Sequence, residues 1–368
     1  MADPDDIPEP DRVEGAPHPR SSIFLMGQDE AEKSFLEAFS TGRLHHGWML
    51  TGPRGVGKAT LAYRIARFLI GANTDATSLD MSPEAAVFKR IQSQGESQLF
   101  VCRRPVNEDT GRLKTQITVE EVRKLRSFFQ LSATDGGWRV AIVDPADELN
   151  AAAANALLKI LEEPPAKAII LLVCHQPAAL LPTIRSRCRE LRLKPLDANK
   201  LGAALDCAGF PPEENQTALA ELSAGSVGEA VRILADDGQV LFSRIAALIN
   251  SAPKMNRGLI IALGDQCSGP SNASRYDMTV RLVSLALSRL ARNGAGNPPR
   301  AEAAKDERAL ANRLSATPGQ ARIWANLEQM ISARIQHARA VNLDPGQVIL
   351  DTFLQIDAAA RRATRSSA

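Results

Sequence analysis

The sequence predicts an α/β fold over its first half, a mostly parallel sheet with helices on both faces, followed by helical segments. Three observations carry this. Short apolar runs at residues 47–51, 138–143 and 168–174 alternate with helical patterns over residues 23–196, and such alternation implies parallel strands joined by crossover helices. A glycine-rich segment, Gly52-Pro53-Arg54-Gly55-Val56-Gly57-Lys58, lies between the first of those runs and a helix. After Pro195 the strand patterns cease, and apolar residues recur at helical spacing, as in Leu282, Leu285, Ala286 and Leu290 or Leu327, Ile331 and Ile335.

Residues 1–20 are rich in proline and acids and carry almost no large apolar side chains. They are expected to be a disordered tail, with order beginning near Ile23-Phe24-Leu25. The helix after Gly57 places Leu61, Ile65, Phe68 and Leu69 on one face. A second helix over 150–163 stops before Pro164-Pro165, whose rings remove donors and clash with the preceding turn. Between Ile70 and Val119 the pattern weakens to a strand around LFVC, a turn at Asp109-Thr110-Gly111, and a helix from about Thr118. There Thr118 and Glu121 have capping-box spacing. The expected domains are residues 21–196, a small helical domain at 197–239 and a second helical domain at 240–368. No internal repeat is visible.

Composition is that of an ordinary globular chain, 44% hydrophobic and 23% charged. With aromatics at only 4% the core must be mainly aliphatic. Lys+Arg number 44 and Asp+Glu 42, so 44 − 42 leaves +2, and any contact with nucleic acid must come from a local patch. No apolar run is long enough to span a bilayer and no signal-peptide pattern opens the chain, so a cytoplasmic protein without a membrane partner is expected. The five cysteines, Cys102, Cys174, Cys188, Cys207 and Cys267, are scattered and never in a CxxC pair, which argues for reduced thiols and against a zinc ribbon.

The chemistry is concentrated in the glycine-rich segment. Gly52, Gly55 and Gly57 let the backbone wrap a phosphate. The N–H groups of Arg54, Val56 and their neighbours, with the helix start, stabilise the anion, and Lys58 reaches the terminal phosphates. The next residue should supply a hydroxyl to Mg²⁺, but it is Ala59. Thr60 is one residue late and rotated about 100° around the helix. The strand 138–143 runs into Asp144-Pro145-Ala146-Asp147. Asp144 suits a metal site, or it merely caps and turns the chain; both readings stand at this point. Pro145 occupies the place of a general base and has no carboxylate to act as one. The expectation is ATP or ADP bound without hydrolysis, with Mg²⁺ held weakly or not at all, and no zinc.

The segments HHGWMLTGPRGVGKATLAYRIARFL, WRVAIVDPADELNAAAANALLKILEEPP and LLPTIRSRC resemble the clamp-loader branch of the AAA+ ATPases, and within it the delta-prime-type subunits of bacterial DNA polymerase III. The resemblance covers roughly residues 23–240. It implies a RecA-like P-loop domain, a helical lid and an all-helical collar through which subunits assemble. It implies partners as well: motor (gamma/tau-like) and delta subunits, and, through the complex, a sliding clamp and primed DNA. It places an arginine finger, acting on a neighbouring subunit, at Arg187 in SRC. Three further departures from active members join those at Ala59 and Pro145. Cys174-His175 stands where a polar Thr or Asn senses phosphate. Gly228 stands where the lid arginine follows Gly225-Ser226. Only Cys102 lies where many relatives carry a four-cysteine zinc module. Loss of the chain's own catalytic residues with retention of Arg187 implies a non-hydrolysing, stator-like subunit. The alternatives are an active ATPase, either the motor subunit of the same complex or a related DNA-remodelling enzyme, and a pure scaffold in which Arg187 is structural.

Overall fold

The computed structural model describes residue 9 and residues 11–71, 77–107, 111, 113–130, 136–211, 213 and 215–365. They form two compact units. The first comprises residues up to 212 together with Ser226–Gly228, and the second comprises Glu213–Gly225 and Glu229 onward.

The first unit runs α1 (Asp29–Ser40), β1 (Gly47–Thr51), α2 (Lys58–Ile70), α3 (Ala86–Gln92), β2 (Leu99–Cys102), α4 (Val119–Gln130), β3 (Arg139–Val143), α5 (Ala151–Glu162), β4 (Ala168–Cys174), α6 (Pro182–Arg185), β5 (Arg189–Arg192) and α7 (Ala198–Cys207). The five strands are ordered β2-β3-β4-β1-β5 and all pairings are parallel. The apolar runs of β1, β3 and β4 are continuous because both faces of the sheet are covered. Successive side chains alternate between two cores. Trp48, Leu50, Val140, Ile142, Ile169 and Leu171 pack with α1 and α2. Met49, Ala141, Val143, Ile170 and Leu172 pack with α4 and α5. Asn150 caps α5 by accepting from the Ala153 N–H at 2.8 Å.

Two differences from the sequence-based expectation concern the ends of this unit. Part of the expected tail, residues 1–8 and 10, lies outside the described residues. Glu9 and residues 11–20 are instead fixed by charge. Glu9 pairs with Arg20 at 2.6 Å and Arg103 at 2.9 Å, and Asp11 pairs with Arg103 at 3.3 Å. His18 is buried against both carboxylates at 3.0 and 3.5 Å. Arg67, inside α2, donates to the carbonyls of Arg20 and Ser22 at 3.0 and 2.7 Å. Hydropathy shows none of this, because ion pairs rather than apolar burial hold the segment. At the other end, α7, expected to open the second domain, groups with the first unit.

The second unit contains α8 (Gln216–Leu222), most of α9 (Val227–Ala235), α10 (Gly238–Asn250), α11 (Arg257–Asp265), α12 (Ala273–Gly294), α13 (Glu307–Leu314), α14 (Pro318–Ala340) and α15 (Pro345–Arg365). Thr317 and Gln320 form a reciprocal capping box at the start of α14, and Trp324 is fully buried with its indole N–H donating to the Leu314 carbonyl at 2.9 Å. Leu327, Ile331 and Ile335 are buried on the same helix, as their spacing requires.

Candidate functional site

The glycine-rich segment joins β1 to α2 and adopts the conformation its composition permits. Gly52, Gly55 and Gly57 have φ of 139°, 76° and 100°, a region that side chains with a Cβ rarely enter. Lys58 is the first residue of α2 and is 3% exposed. Its ammonium donates to the carbonyls of Gly52 and Pro53 at 2.7 and 2.6 Å. Burial pushes its pKa down to about 8, with Asp144 and Asp147 pulling the other way. Val56 is buried, whereas Ala59 and Thr60 are half-buried at the start of the helix. Arg54 points outward and pairs with Glu148 at 3.3 Å, and Arg104 holds the same carboxylate at 2.9 Å.

Asp144 follows β3 and is buried. Burial, then the charge of Asp11, pushes its pKa up to about 8, with Lys58 opposing. Burial therefore biases this carboxyl towards its neutral form. Pro145 is buried beside it. Asp147 accepts the backbone N–H of His175 at 2.8 Å. His175 is pushed down to about 4 by burial and then by the charge of Lys58, so it is a neutral imidazole. The thiol of Cys174 is fully buried and pushed up to about 12, again chiefly by burial.

Gly228 has a structural reason. Its N–H donates to the Gly55 carbonyl at 3.0 Å, and the Ser226 hydroxyl donates to the Arg54 carbonyl at 2.8 Å. A Cβ on Gly228 would lie 3.0 Å from the Gly55 Cα, so an arginine at 228 would require this backbone approach to open by a few tenths of an ångström. Of the groups that would hold a Mg²⁺-bound nucleoside triphosphate, the hydroxyl is missing at Ala59, and Lys58 is turned onto the loop's own carbonyls. Among the described residues no group of three or more His, Cys, Asp or Glu side chains is placed to hold a metal ion.

Asp144 makes a pH prediction. Its folded pKa lies above the unfolded value near 3.8, so the penalty for burying it is absent below about pH 4 and grows to completion near pH 8. Asp144→Asn removes that penalty. Thermal melts should show the variant gaining several degrees over the parent at about pH 8.5 and much less at about pH 5. Equal gains at both pH values would remove the argument for a buried neutral acid.

Arg187 lies away from all of this. A Cβ on Gly47, the first residue of β1, would sit 3.1 Å from the Arg187 carbonyl, whereas the phosphate loop leaves the last. With a rise of about 3.3 Å per residue, the length of β1 puts Arg187 roughly 16 Å from its own loop, at the opposite end of the strands. The side chain is 38% exposed and is not free, as the sequence had suggested for a projecting finger. It pairs with Glu162 at 3.0 Å and donates to the Thr183 carbonyl at 3.1 Å. Arg185 is exposed at the end of α6. The predicted loop residues are thus gathered with Asp144, and Arg187 is not among them. Sequence reasoning passed over Asp11, Asp147, Glu148 and Ser226. Asp147, Glu148 and Ser226 lie in or beside segments whose motifs the sequence displays, whereas Asp11 lies in the expected tail.

Comparison with known proteins places these features among relatives. Residues 27–197 match the family described as DNA polymerase III, delta subunit. DNA polymerase III subunit delta' of Pseudomonas aeruginosa is 33% identical over 218 residues, 59% of this chain and 63% of that protein. The delta' subunit of Yersinia pestis is 40% identical over 149 residues, covering 40% and 42% of the two chains. DNA polymerase III subunit tau of Escherichia coli is 30% identical over 245 residues, 63% of this chain and 36% of that one. The chain therefore spans less than two thirds of the length of these curated relatives.

Proposed function

We propose that residues 27–197, which match the DNA polymerase III delta subunit family, are the module of a AAA+ clamp-loader subunit, and that this chain is a non-hydrolysing, stator-like member of a DNA polymerase III clamp loader that lends Arg187 to the ATP site of a neighbouring subunit. The observation that carries the proposal is the separation of Arg187 from its own phosphate loop by the length of β1. A guanidinium at that end of the strands is out of reach of the chain's own loop, which supports a role towards another molecule's phosphates. Its forked, permanently charged donors suit the charge that develops on a transferring phosphoryl group. The proposed partners are gamma/tau-like motor subunits and a delta subunit, with the sliding clamp and primed DNA reached through the assembled complex in the cytoplasm. No described helix is long and apolar enough to cross a membrane.

The second unit supplies the proposed assembly collar, over residues 240–365.

The competing reading, an active motor ATPase, requires the hydroxyl and carboxylate that Ala59 and Pro145 do not supply. The purified chain with Mg²⁺ and ATP is expected to release phosphate no faster than a protein-free control, and the full complex is expected to hydrolyse ATP. Sustained Mg²⁺-dependent turnover by the chain alone would establish the motor reading instead.

A further inference from the structure

Two segments of the first unit meet the backbone of the phosphate loop, and a third backs one of them. From one side come Ser226, whose hydroxyl donates to the Arg54 carbonyl at 2.8 Å, and Gly228, whose N–H donates to the Gly55 carbonyl at 3.0 Å. Gly55 is enclosed so closely that a Cβ there would stand 2.4 Å from the Ser226 hydroxyl and 3.1 Å from the Gly228 Cα. Backing Gly228 is Val13, whose methyl would stand 3.4 Å from a Cβ on Gly228. Its place is fixed by charge pairs on either side along the chain: Asp11 with Arg103, Glu9 with Arg20 and Arg103, and His18 with Glu9 and Asp11. From a second side comes Leu25, whose side chain would stand 2.4 Å from a Cβ on Gly57. Inside, Lys58 is turned onto the Gly52 and Pro53 carbonyls.

The loop itself is otherwise intact. Its three glycines keep the positive φ that wraps an anion, and α2 begins directly behind it. A loop with its binding glycines present and its backbone at Arg54, Gly55 and Gly57 held by its own chain is restrained, which differs from being destroyed. We propose that residues 226–228, wedged by Val13, act as a clasp that holds the phosphate loop shut, and that a nucleotide's phosphates enter the loop only when the clasp is released. Binding then draws on the small fraction of molecules with the clasp open, and the apparent affinity falls by that fraction. The clasp operates in the isolated chain whether or not Arg187 serves a neighbour.

The test is binding of methylanthraniloyl-ATP to the full-length chain, followed by fluorescence, without Mg²⁺. Ser226→Ala combined with Gly228→Val removes one clasp hydrogen bond and forces the other apart. Losing two hydrogen bonds of ordinary strength should raise the open fraction, and the affinity, on the order of 10- to 30-fold over the parent. A second pair, Ser226→Ala with Val13→Ala, adds no atom and should give a smaller gain in the same direction. Circular dichroism and thermal melts identify which variants remain folded. Adding Lys58→Ala to either pair should abolish the gain, which places the nucleotide in the loop. Folded variants that bind no more tightly than the parent, or a gain that survives Lys58→Ala, would overturn the clasp.

Discussion

Arg187→Ala is expected to leave this chain folded and assembled while sharply lowering ATP hydrolysis at the site it faces in the complex. The folding half follows from exposure. Arg187 is 38% and Glu162 49% exposed, and an ion pair so open to solvent contributes about 1 kcal/mol or less. The catalytic half follows from position. The side chain cannot reach its own loop, so its charge is available to a phosphate on a neighbouring molecule. Arginine fingers in the GTPase systems that define the scale contribute about 10³–10⁵ in rate. The whole complex should lose the share of turnover carried by that one site, and clamp loading should slow with it. Arg187→Lys keeps the charge but not the fork and should recover only part. Arg185→Ala, two residues away on the short α6, should change little. The measurement is steady-state ATPase and clamp loading by the reconstituted complex, with assembly checked by size-exclusion chromatography. Full activity in an assembled Arg187→Ala complex would leave Arg187 a surface residue paired with Glu162, and the chain a scaffold.

The largest expected effect on stability lies in the second unit. Arg289, on α12, is 3% exposed and donates to both oxygens of Glu307 at 2.5 and 2.9 Å, to Glu221 at 3.0 Å and to the Ala301 carbonyl at 2.8 Å. Glu307 closes the arrangement by accepting the Ala303 N–H at 2.7 Å. Each partner is costly to bury alone, so the geometry matters more than the pair count. Arg289→Ala leaves two carboxylates facing each other without their cation and should destabilise the unit by about 3–5 kcal/mol. For a unit of this size that lowers its melting temperature by roughly 10 °C. Replacing Arg289 and Glu307 together with apolar residues of similar volume should recover much of the loss, because no uncompensated charge then remains buried. Differential scanning calorimetry would follow the transition of the second unit. A shift of about 1 °C or less in Arg289→Ala would show that the network contributes nothing net.

Much of the first unit could be read directly from the chain. β1, β3 and β4 fall where the apolar runs end, α5 stops at Glu162 just before the prolines, and the phosphate loop sits between its strand and helix as its glycines demand. The short β5 was not recognised. It is an edge strand of the sequence RELR with only Leu191 buried, and charged edges suppress the apolar signal that marks central strands. Within the candidate site, the missing hydroxyl at Ala59 and the missing carboxylate at Pro145 needed no coordinates, since a side chain that is absent from the sequence is absent from any fold.

Other features were decided only by the tertiary structure. The backbone contact between Gly55 and Gly228 joins positions far apart along the chain and leaves no periodic trace. The same holds for the pairing of Glu9 and Asp11 with Arg103, which fixes a segment that composition marks as a tail, and for the pairing of Arg187 with Glu162. Local sequence records which side of an element is buried, because burial repeats at 3.6 or 2 residues. It does not record which distant backbone or charge an element meets. The chain alone therefore determined that this is a phosphate-loop α/β protein with no hydroxyl at position 59 and no carboxylate at position 145. Only the fold determined that Ser226 and Gly228 hydrogen-bond to the loop's backbone and that Arg187 lies a full strand away from it.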